Sequence, residues 1–426
     1  MASISHSNSS PEGAPNSRPE PVCRSCGQGQ LQSILNLGAT PLVARFLDRS
    51  NYLDPEPYFP LELVFCSGCT LVQILETVRA EDLFQDDYPY YSSVSDAWVE
   101  HCCMHAQNLM QKRELDSQSL VVELASNDGC LLKNFVQAGI PSLGIDPAEG
   151  PAAAAVMSGV PTLVEFFSEE LAHHLVSQGK TADLILGNNV LAHSTDTNDF
   201  VAGVAALLKD DGIAVFEMPY LKELIDHTEF DTIYHEHLCY FSVHALEALF
   251  HRHGLFLNDV EALPTHGGSI RITVAKIASP SMAKLRFLRE EEMAGMLGFE
   301  YYADFAQNVK HLVEDLRQLL KKLKSGGARI AAYGAAAKGC VLLNYAGIGD
   351  DLLDYVVDKS LHKQGKQMPG VHLPVYAPEH LTNDAPDYLL LLSWNFREEI
   401  LAQQKAYTDC GGKFILPVPF PHIHSS

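Results

Sequence analysis

Two Cys-x-x-Cys pairs near the N-terminus constrain the fold of this chain more than any other feature. Cys23 and Cys26 form the first pair, and Cys66 and Cys69 form the second. Two thiolate pairs on tight turns can supply four tetrahedral ligands to one zinc ion, which would hold the ends of a long loop together. Four cysteine ligands leave no open coordination position, so we expect a structural zinc. The alternative is four reduced cysteines that are merely buried.

Charge and composition exclude several classes of protein. The chain has 30 Lys and Arg against 53 Asp and Glu, a net charge of −23, which repels nucleic acids and anionic membranes. No apolar run approaches the ~20 residues that span a bilayer. Residues 1–20 are polar and rich in Ser and Pro, without the apolar core of a signal peptide, and predict a disordered tail. We therefore expect a cytoplasmic protein.

Short apolar segments alternate with helical patterns over most of the remaining chain. SLVVELAS, PSLGID, ADLILGNN and GIAVFEMP predict strands, and ARIAAYG and DYLLLLSW repeat the pattern after a long amphipathic stretch at 281–325. Such alternation predicts parallel, doubly wound sheets. The fold class is therefore α/β. We expect a zinc-binding domain at 21–82, a Rossmann-like domain at 83–262 and a second, smaller one at 263–426.

The first predicted strand ends in a turn that suits a cofactor. The turn Glu123–Gly129 leads into a helix, and its small residues let a ligand approach the backbone N–H groups. Asp146 ends the next strand, where doubly wound sheets place the carboxylate that binds a ribose. The turn departs from Gly-x-Gly-x-x-Gly, so an ordinary tight turn remains the alternative.

A histidine-rich segment, Tyr234-His235-Glu236-His237, carries the most reactive side chains. Two imidazoles, a carboxylate and a phenol are costly to bury together. Histidine is the side chain best suited to accept a proton near neutral pH. A metal site is a competing interpretation, although the spacing differs from His-Glu-x-x-His. A third interpretation is that the segment is a solvated loop without a catalytic or metal-binding role.

Two later motifs predict an anion site. The adjacent glycines of His266-Gly-Gly expose N–H groups and Arg271 could bind a phosphate, although the glycines could also serve only a turn. Lys338 lies at a strand-to-helix junction, and Asp358 ends the following strand. Because this layout also suits a nicotinamide cofactor, an NAD-dependent oxidoreductase is one alternative function. A zinc-ribbon interaction protein is another.

Six motifs together resemble a known family. CxxC…CxxC, E-x-x-SNDG-x-L, NNVLAH, Y-H-E-H-x-x-YFS, HGGS-x-R and YGAAAKG follow one another across residues 21–425. In this order they resemble the sugar C-methyltransferases of deoxysugar biosynthesis, which methylate a carbon of a nucleotide-linked 4-keto-deoxysugar with S-adenosylmethionine (SAM). The resemblance implies a zinc-binding domain, a SAM-binding domain and a C-terminal domain that helps hold the sugar nucleotide.

The resemblance also implies roles for individual residues. His237 is the expected base, with Tyr234 and Glu236 positioning it or the sugar, His193 beside the reacting centre, and Tyr88 as an upstream active-site tyrosine that Tyr90 or Tyr91 could replace. The expected SAM ligands are Glu123, Ala125, Ser126, Asn127, Asp128, Gly129, Asp146, Asn188 and Asn189. The expected ligands of the sugar nucleotide are His266, Gly267, Arg271, Tyr333, Gly334, Lys338 and Asp358. TDP is the expected nucleotide, although the motifs do not specify it. The sugar, the methylated carbon and the oligomeric state, a monomer included, stay open.

Overall fold

A computed structural model describes residues 21–424 apart from 49, 51, 53, 80–82 and 84–89. The expected disordered tail at 1–20 and Tyr88 lie outside the described residues. Among its described residues, the N-terminal part contains the strands β1 (Leu31–Pro41), β2 (Tyr58–Cys66) and β3 (Val72–Ile74). They pair antiparallel in this order.

The central part alternates strands and helices as the sequence predicts. Its helices are α1 (Asp96–Arg113), α2 (Leu132–Gln137), α3 (Glu149–Met157), α4 (Glu169–Ser177), α5 (Thr197–Leu207), α6 (Leu221–Asp226) and α7 (Val243–Arg252). Its strands are β4 (Val121–Leu124), β5 (Ser142–Ile145), β6 (Thr162–Leu163), β7 (Ala182–Asn188), β8 (Leu208–Pro219), β9 (Cys239–Tyr240), β10 (Phe256–Leu263) and β11 (Ser269–Ala275).

The central sheet has the order β10-β11-β8-β7-β4-β5-β6. Strands β4 to β8 in it run parallel, while β11 and β10 are antiparallel additions. Strand order reverses between β4 and β7, which opens a crevice at their carboxyl ends. The domain boundary expected after residue 262 falls within the β10–β11 hairpin, so the central sheet extends past it.

Strand β9 belongs to the N-terminal sheet although it lies far along the chain. Val72 pairs with Tyr240 and Gln73 with Cys239, which gives the sheet order β1-β2-β3-β9. The histidine-rich segment ends just before β9. It is therefore held between the N-terminal sheet and the central sheet.

The amphipathic stretch at 281–325 forms two helices. They are α8 (Met282–Ala294) and α9 (Phe305–Ser325). Gly295 ends α8 with φ of +83°, a conformation that glycine adopts without steric cost. One face of α9 is buried, with Phe305, Val309, Leu312, Leu316 and Leu320 at helical spacing.

The C-terminal part repeats the doubly wound pattern. Its strands are β12 (Ile330–Tyr333), β13 (Val356–Val357), β14 (Val375–Tyr376), β15 (Tyr388–Leu391), β16 (Lys413–Leu416) and β17 (His422–Ile423). Its helices are α10 (Ala337–Ala346), α11 (His380–Asp384), α12 (Arg397–Gln403) and α13 (Lys405–Asp409). The sheet order is β14-β13-β12-β15-β16-β17, in which all strands except β17 run parallel.

This second sheet reverses its strand order between β12 and β15. The α/β class with two Rossmann-like sheets is thus confirmed. Among the described residues, no helix is long and apolar enough to cross a membrane.

Candidate active site

The four cysteines of the N-terminal pairs converge on one point. The Sγ atoms of Cys23 and Cys69 are 3.5 Å apart, and those of Cys26 and Cys66 are 3.6 Å apart. All four sulfurs lie within 4.8 Å of one another. A tetrahedral zinc with Zn–S bonds of about 2.3 Å needs sulfurs about 3.8 Å apart. The cluster fits a closed structural zinc site, as the sequence predicts.

The turn after β4 is shaped by positive φ angles and by Asp146. Ala125 and Asn127 have φ of +54° and +49°. Asp146 Oδ2 accepts the backbone N–H of Asn127 at 2.7 Å, and its Oδ1 accepts that of Ala148 at 2.8 Å. Burial raises the pKa of Asp146, and these two N–H groups oppose the shift. Asp146 therefore supports the turn itself, in addition to any contact with a ribose.

Several buried polar atoms at this edge have no hydrogen-bond partner among the described residues. They are Glu123 Oε2, Ser126 Oγ, Asp128 Oδ1 and both amide atoms of Asn188. Unsatisfied buried polar atoms are costly, so such a cluster is typical of a ligand site. Burial also raises the pKa of Glu123 well above its usual value. Together with the strand-order reversal, these atoms fit SAM, which would supply a methyl group here.

Residues 90–95 lie against this turn and against the C-terminal part. Ser92 N–H donates to Asn127 Oδ1 at 2.9 Å, and Ser93 N–H donates to Asp128 Oδ2 at 3.0 Å. The ring of Tyr91 stacks on His362, with centroids 4.9 Å apart. The sequence leaves open which of Tyr88, Tyr90 and Tyr91 is the active-site tyrosine. In the structure, the Tyr91 ring packs against His362.

Tyr234 and His237 form a hydrogen-bonded pair in the histidine-rich segment. Tyr234 Oη lies 2.8 Å from His237 Nε2, and His237 Nδ1 lies 3.0 Å from the carbonyl oxygen of Thr232. The carbonyl can only accept, so Nδ1 carries the proton and Nε2 carries the lone pair. Burial, aided by His193, lowers the pKa of His237 well below its usual value. The imidazole is therefore a neutral base.

Two further predicted residues surround this pair. The ring of His193 meets that of His237 edge-on, with centroids 4.8 Å apart, and burial lowers the pKa of His193 to about 4. Glu236 is buried nearby. Burial, with Glu236 adding to the effect, raises the pKa of Tyr234 well above 10. A phenolate at Tyr234 is thus strongly disfavoured.

The His266 turn and Lys338 form the C-terminal side of the site. Lys338 Nζ donates to the carbonyl oxygen of His266 at 3.3 Å and lies 4.4 Å from the centroid of the Trp394 ring. Burial lowers the pKa of Lys338, while Asp231 and Glu229 oppose the shift. Lys338 and His266 both affect the pKa of His237, so these groups share one electrostatic environment.

The glycine of the His266 turn is required by space and by conformation. Gly267 has φ of +97°. A Cβ there would lie 2.5 Å from Glu229 Oε1 and 2.7 Å from the Trp394 ring. His266 itself contacts Asn189, with 3.4 Å between Asn189 Nδ2 and the imidazole Nε2. The turn thus joins the carboxyl end of β7 to the C-terminal part.

Three predicted ligands of the sugar nucleotide are engaged within the protein. Arg271 forms ion pairs with Glu217 and Glu261, with 2.6 and 2.8 Å between nitrogen and oxygen. This commitment does not agree with the predicted phosphate contact. Tyr333 is buried and its hydroxyl accepts a hydrogen bond from Gln404. Asp358 accepts the backbone N–H groups of Ala335 and Ser360, as Asp146 does for its own turn.

Gly334, in contrast, stands at the strand-order reversal of the second sheet. It has φ of +91°, and a Cβ there would lie 2.1 Å from Ser393 Oγ. The backbone is therefore tightly packed at the start of the turn that leads to α10. Lys338 follows within the first turn of that helix.

Sequence reasoning missed the buried acids of this site. Asp231 is fully buried, and its Oδ2 accepts the Trp394 indole N–H at 2.7 Å. Burial raises the pKa of Asp231 to about 6, with Lys338 opposing. Glu217 accepts a hydrogen bond from His101 at 2.7 Å. Asp231 lies three residues before Tyr234 in the sequence. This proximity to the histidine-rich segment could have indicated that Asp231 belongs to the site.

Comparison with known proteins agrees with this geometry. Family models for a zinc-binding domain, a methyltransferase domain and a C-methyltransferase C-terminal domain match residues 23–84, 98–258 and 264–419. The C-methyltransferase NovU of Streptomyces niveus is 35% identical over 414 residues, which are 96% of this chain and 98% of NovU. The chain belongs to the SAM-dependent C-methyltransferases. The predicted family, the enzyme class and both cofactors, SAM and zinc, are thus confirmed.

Solved structures of more distant methyltransferases align with part of this C-methyltransferase. A magnesium protoporphyrin IX methyltransferase from Synechocystis PCC 6803 is 12% identical, with a TM-score of 0.33, and the alignment covers 42% of this chain and 79% of that one. A SAM-dependent methyltransferase from Clostridium acetobutylicum is 12% identical, with a TM-score of 0.34, over 44% of this chain and 94% of that one.

Proposed function

We propose that this C-methyltransferase acts on a nucleotide-linked 4-keto-deoxysugar, with TDP as the expected nucleotide. The observation that carries the proposal is the neutral Tyr234–His237 pair, which lies in one electrostatic environment with Lys338. A neutral base suits the removal of a proton from carbon. A nearby ammonium group suits an anionic substrate.

The reaction class sets what the residues must do. A carbon next to a ketone becomes a nucleophile only after it loses a proton, so the enzyme needs a base and a partner for the enolate oxygen. SAM, when bound, supplies the methyl group. We assign the base to His237 Nε2, whose lone pair faces Tyr234 Oη. The proton reaches it through the Tyr234 hydroxyl, which passes on its own proton as it takes the substrate's.

This relay avoids a costly charge on Tyr234 and leaves the proton on a hydrogen-bonded His237. Burial makes a lone phenolate at Tyr234 unfavourable, and transfer through the hydroxyl never requires one. The imidazolium that forms keeps its Nδ1–H bond to the Thr232 carbonyl oxygen. We assign neutral His193, at the edge of the His237 ring, to the ketone oxygen, where its N–H would stabilise the enolate.

The C-terminal sheet provides the proposed nucleotide site. Gly334 begins the turn at the strand-order reversal, and Lys338 lies in the first turn of α10, where the helix dipole favours an anion. We assign the diphosphate to this junction. Asp358 and Tyr333 then support the turn, and Arg271 fixes Glu217 rather than a phosphate.

We also infer a cytoplasmic location. The zinc ligands are four thiols, which persist in a reducing compartment. Nucleic-acid and membrane partners stay unexpected for a chain with a net charge of −23.

Mass spectrometry of reaction mixtures tests the substrate class. The protein is incubated with SAM and a panel of TDP-linked 4-keto-deoxysugars, and the matched 4-hydroxy sugars serve as controls. We expect one added methylene mass on keto sugars alone, because the hydroxy sugars have no acidic carbon. Methylation of the hydroxy sugars, or of none of the nucleotide sugars, would contradict the proposal.

A further inference from the structure

The strand that follows His237 completes the sheet of the zinc-binding part. Cys239 and Tyr240, in β9, pair with Gln73 and Val72 in β3. The residues of β9 directly follow the segment 234–238, which we call the catalytic segment. The zinc-binding part is therefore built partly from the chain that carries the proposed base.

The peptide unit next to His237 is fixed from both sides. Leu238 N–H donates to the carbonyl oxygen of Ala192 at 2.8 Å, and Ile74 N–H donates to the carbonyl oxygen of Leu238 at 3.0 Å. Ala192 precedes His193, and Ile74 ends β3. Leu238 thus links the turn that carries His193 to the zinc-binding part.

A second contact joins the catalytic segment to β2. His235 is 1% exposed, and its Nε2 donates to the carbonyl oxygen of Pro60 at 3.0 Å. Its ring also meets the edge of Phe59, with centroids 5.8 Å apart. Two positions of the catalytic segment, 235 and 238, are therefore attached to two neighbouring strands of the zinc-binding part.

Two of the zinc-site cysteines flank the turn between those two strands. Cys66 is the last residue of β2, and Cys69 lies three residues before the start of β3. From the opposite pair, the N–H of Arg24, next to Cys23, donates to Gln73 Oε1 at 3.0 Å. Gln73 is 1% exposed. The cysteine cluster is thus connected to both strands of the β2–β3 hairpin, which contacts the catalytic segment.

We propose that the zinc site positions the general base, with His235 and Gln73 as positioning residues. The zinc would fix the β2–β3 hairpin, and the hairpin would fix the catalytic segment through His235 and Leu238. The proposal rests on the assignment of His237 as base, but the structural coupling that it predicts can be measured without any substrate.

Hydrogen–deuterium exchange with mass spectrometry tests the coupling in the full chain. Zinc is removed with a chelator, and exchange is compared with that of the zinc-loaded protein. We expect peptides covering 72–74 and 234–241 to exchange on the order of tenfold faster, while β4 and β7 keep their protection. Unchanged exchange at 234–241, with faster exchange at 23–26 and 66–69, would overturn the proposal.

If removal of zinc unfolds the whole chain, variants of the zinc-loaded protein test the same coupling. His235→Phe keeps an aromatic ring near Phe59 but loses the donor to Pro60, whereas His235→Gln keeps an N–H donor. We expect His235→Phe to bind zinc and SAM normally, with faster exchange at 234–241 and a lower kcat at unchanged KM. His235→Gln should recover most of the protection at 234–241 and most of the kcat. The surface variant His227→Gln should match wild type in both measurements. Equal behaviour of His235→Phe and wild type would overturn the proposal.

The two proposals fail in different ways. If His237 is not the base, His237→Asn retains activity while zinc removal still loosens 234–241. If the zinc site does not position the segment, His237→Asn is inactive while zinc removal leaves 234–241 protected.

Discussion

Tyr234 Oη lies 2.8 Å from Nε2 of His237, on the side of the imidazole opposite the Thr232 carbonyl oxygen. This arrangement fixes the tautomer of His237 and directs its lone pair at the phenol. Neither group is well suited to act alone, because burial disfavours both a phenolate and an isolated imidazolium. The pair can move a proton together.

Substitutions at the pair test the relay directly. General base catalysis typically contributes about 10²–10⁴-fold, so His237→Asn should lose activity on that scale and still bind SAM. Tyr234→Phe should lose a comparable factor, since it breaks the relay. His193→Asn, which keeps an N–H donor, should lose less. The measurement is deuterium wash-in at the substrate carbon, with a SAM analogue that has no transferable methyl. Wild-type exchange in His237→Asn would remove His237 as the base.

Asp146 makes a separate prediction about SAM. Asp146→Ala removes the acceptors of the Asn127 and Ala148 N–H groups as well as any ribose contact, so it should weaken SAM binding and also loosen the turn. Asp146→Asn keeps one acceptor and should retain part of the affinity. Calorimetric titration of SAM measures both variants. Equal affinity of Asp146→Ala and wild type would place the cofactor elsewhere.

Metal content tests the zinc site. Atomic absorption should give about one zinc per chain, as four cysteine ligands hold one ion. Cys66→Ser should lose zinc and lower the melting temperature, because Cys66 ends β2 and lies in the ligand set. Cys410→Ser is the matched control, since Cys410 is exposed and remote in sequence from the pairs. A zinc-free Cys66→Ser protein with wild-type stability would contradict a structural role.

His105 predicts a pH dependence of stability. Burial lowers its pKa to about 4, with Arg271 adding to the effect. Between about pH 6.5 and that value, the unfolded chain binds a proton that the folded chain does not, so the free energy of unfolding falls as the pH falls. The slope is about 1.4 kcal/mol per pH unit for one histidine. His105→Gln should reduce the loss between pH 7 and pH 5 by about 2 kcal/mol, measured by chemical denaturation. An unchanged slope in the variant would show that His105 titrates normally.

Gly267 tests the turn between the two Rossmann-like parts. Gly267→Ala forces a Cβ against Glu229 and Trp394 at φ of +97°, so it should lower stability by more than about 1 kcal/mol and raise the KM for the sugar nucleotide. Gly295→Ala is a matched control, because Gly295 also has positive φ but no atom lies within 4 Å of its Cβ position. Thermal unfolding and steady-state kinetics compare the two. Equal effects of both variants would mean that the packing at Gly267 is unimportant.

Local patterns predicted the strands and helices of the two Rossmann-like sheets well, because strand alternation and turn residues act over short distances. Contacts between side chains that are distant in the sequence could not be predicted from local patterns. Arg271 suits a phosphate by residue type, but the β8–β11 register places it beside Glu217. Trp394 gave no chemical signal, although it bonds Asp231 from more than 160 positions away. The amphipathic pattern at 281–325 also did not show that the stretch divides into two helices after residue 294.

The pairing of β3 with β9 also orders events during synthesis. Val72 leaves the ribosome well before its partner Tyr240, which lies 240 − 72 = 168 positions later. At about 5–20 residues per second, the N-terminal sheet waits roughly 10–30 s for its last strand. During that time, the edge of β3 is open to pairing with other chains. A nascent zinc-binding part should therefore depend on early metal capture or on chaperones until the catalytic segment emerges.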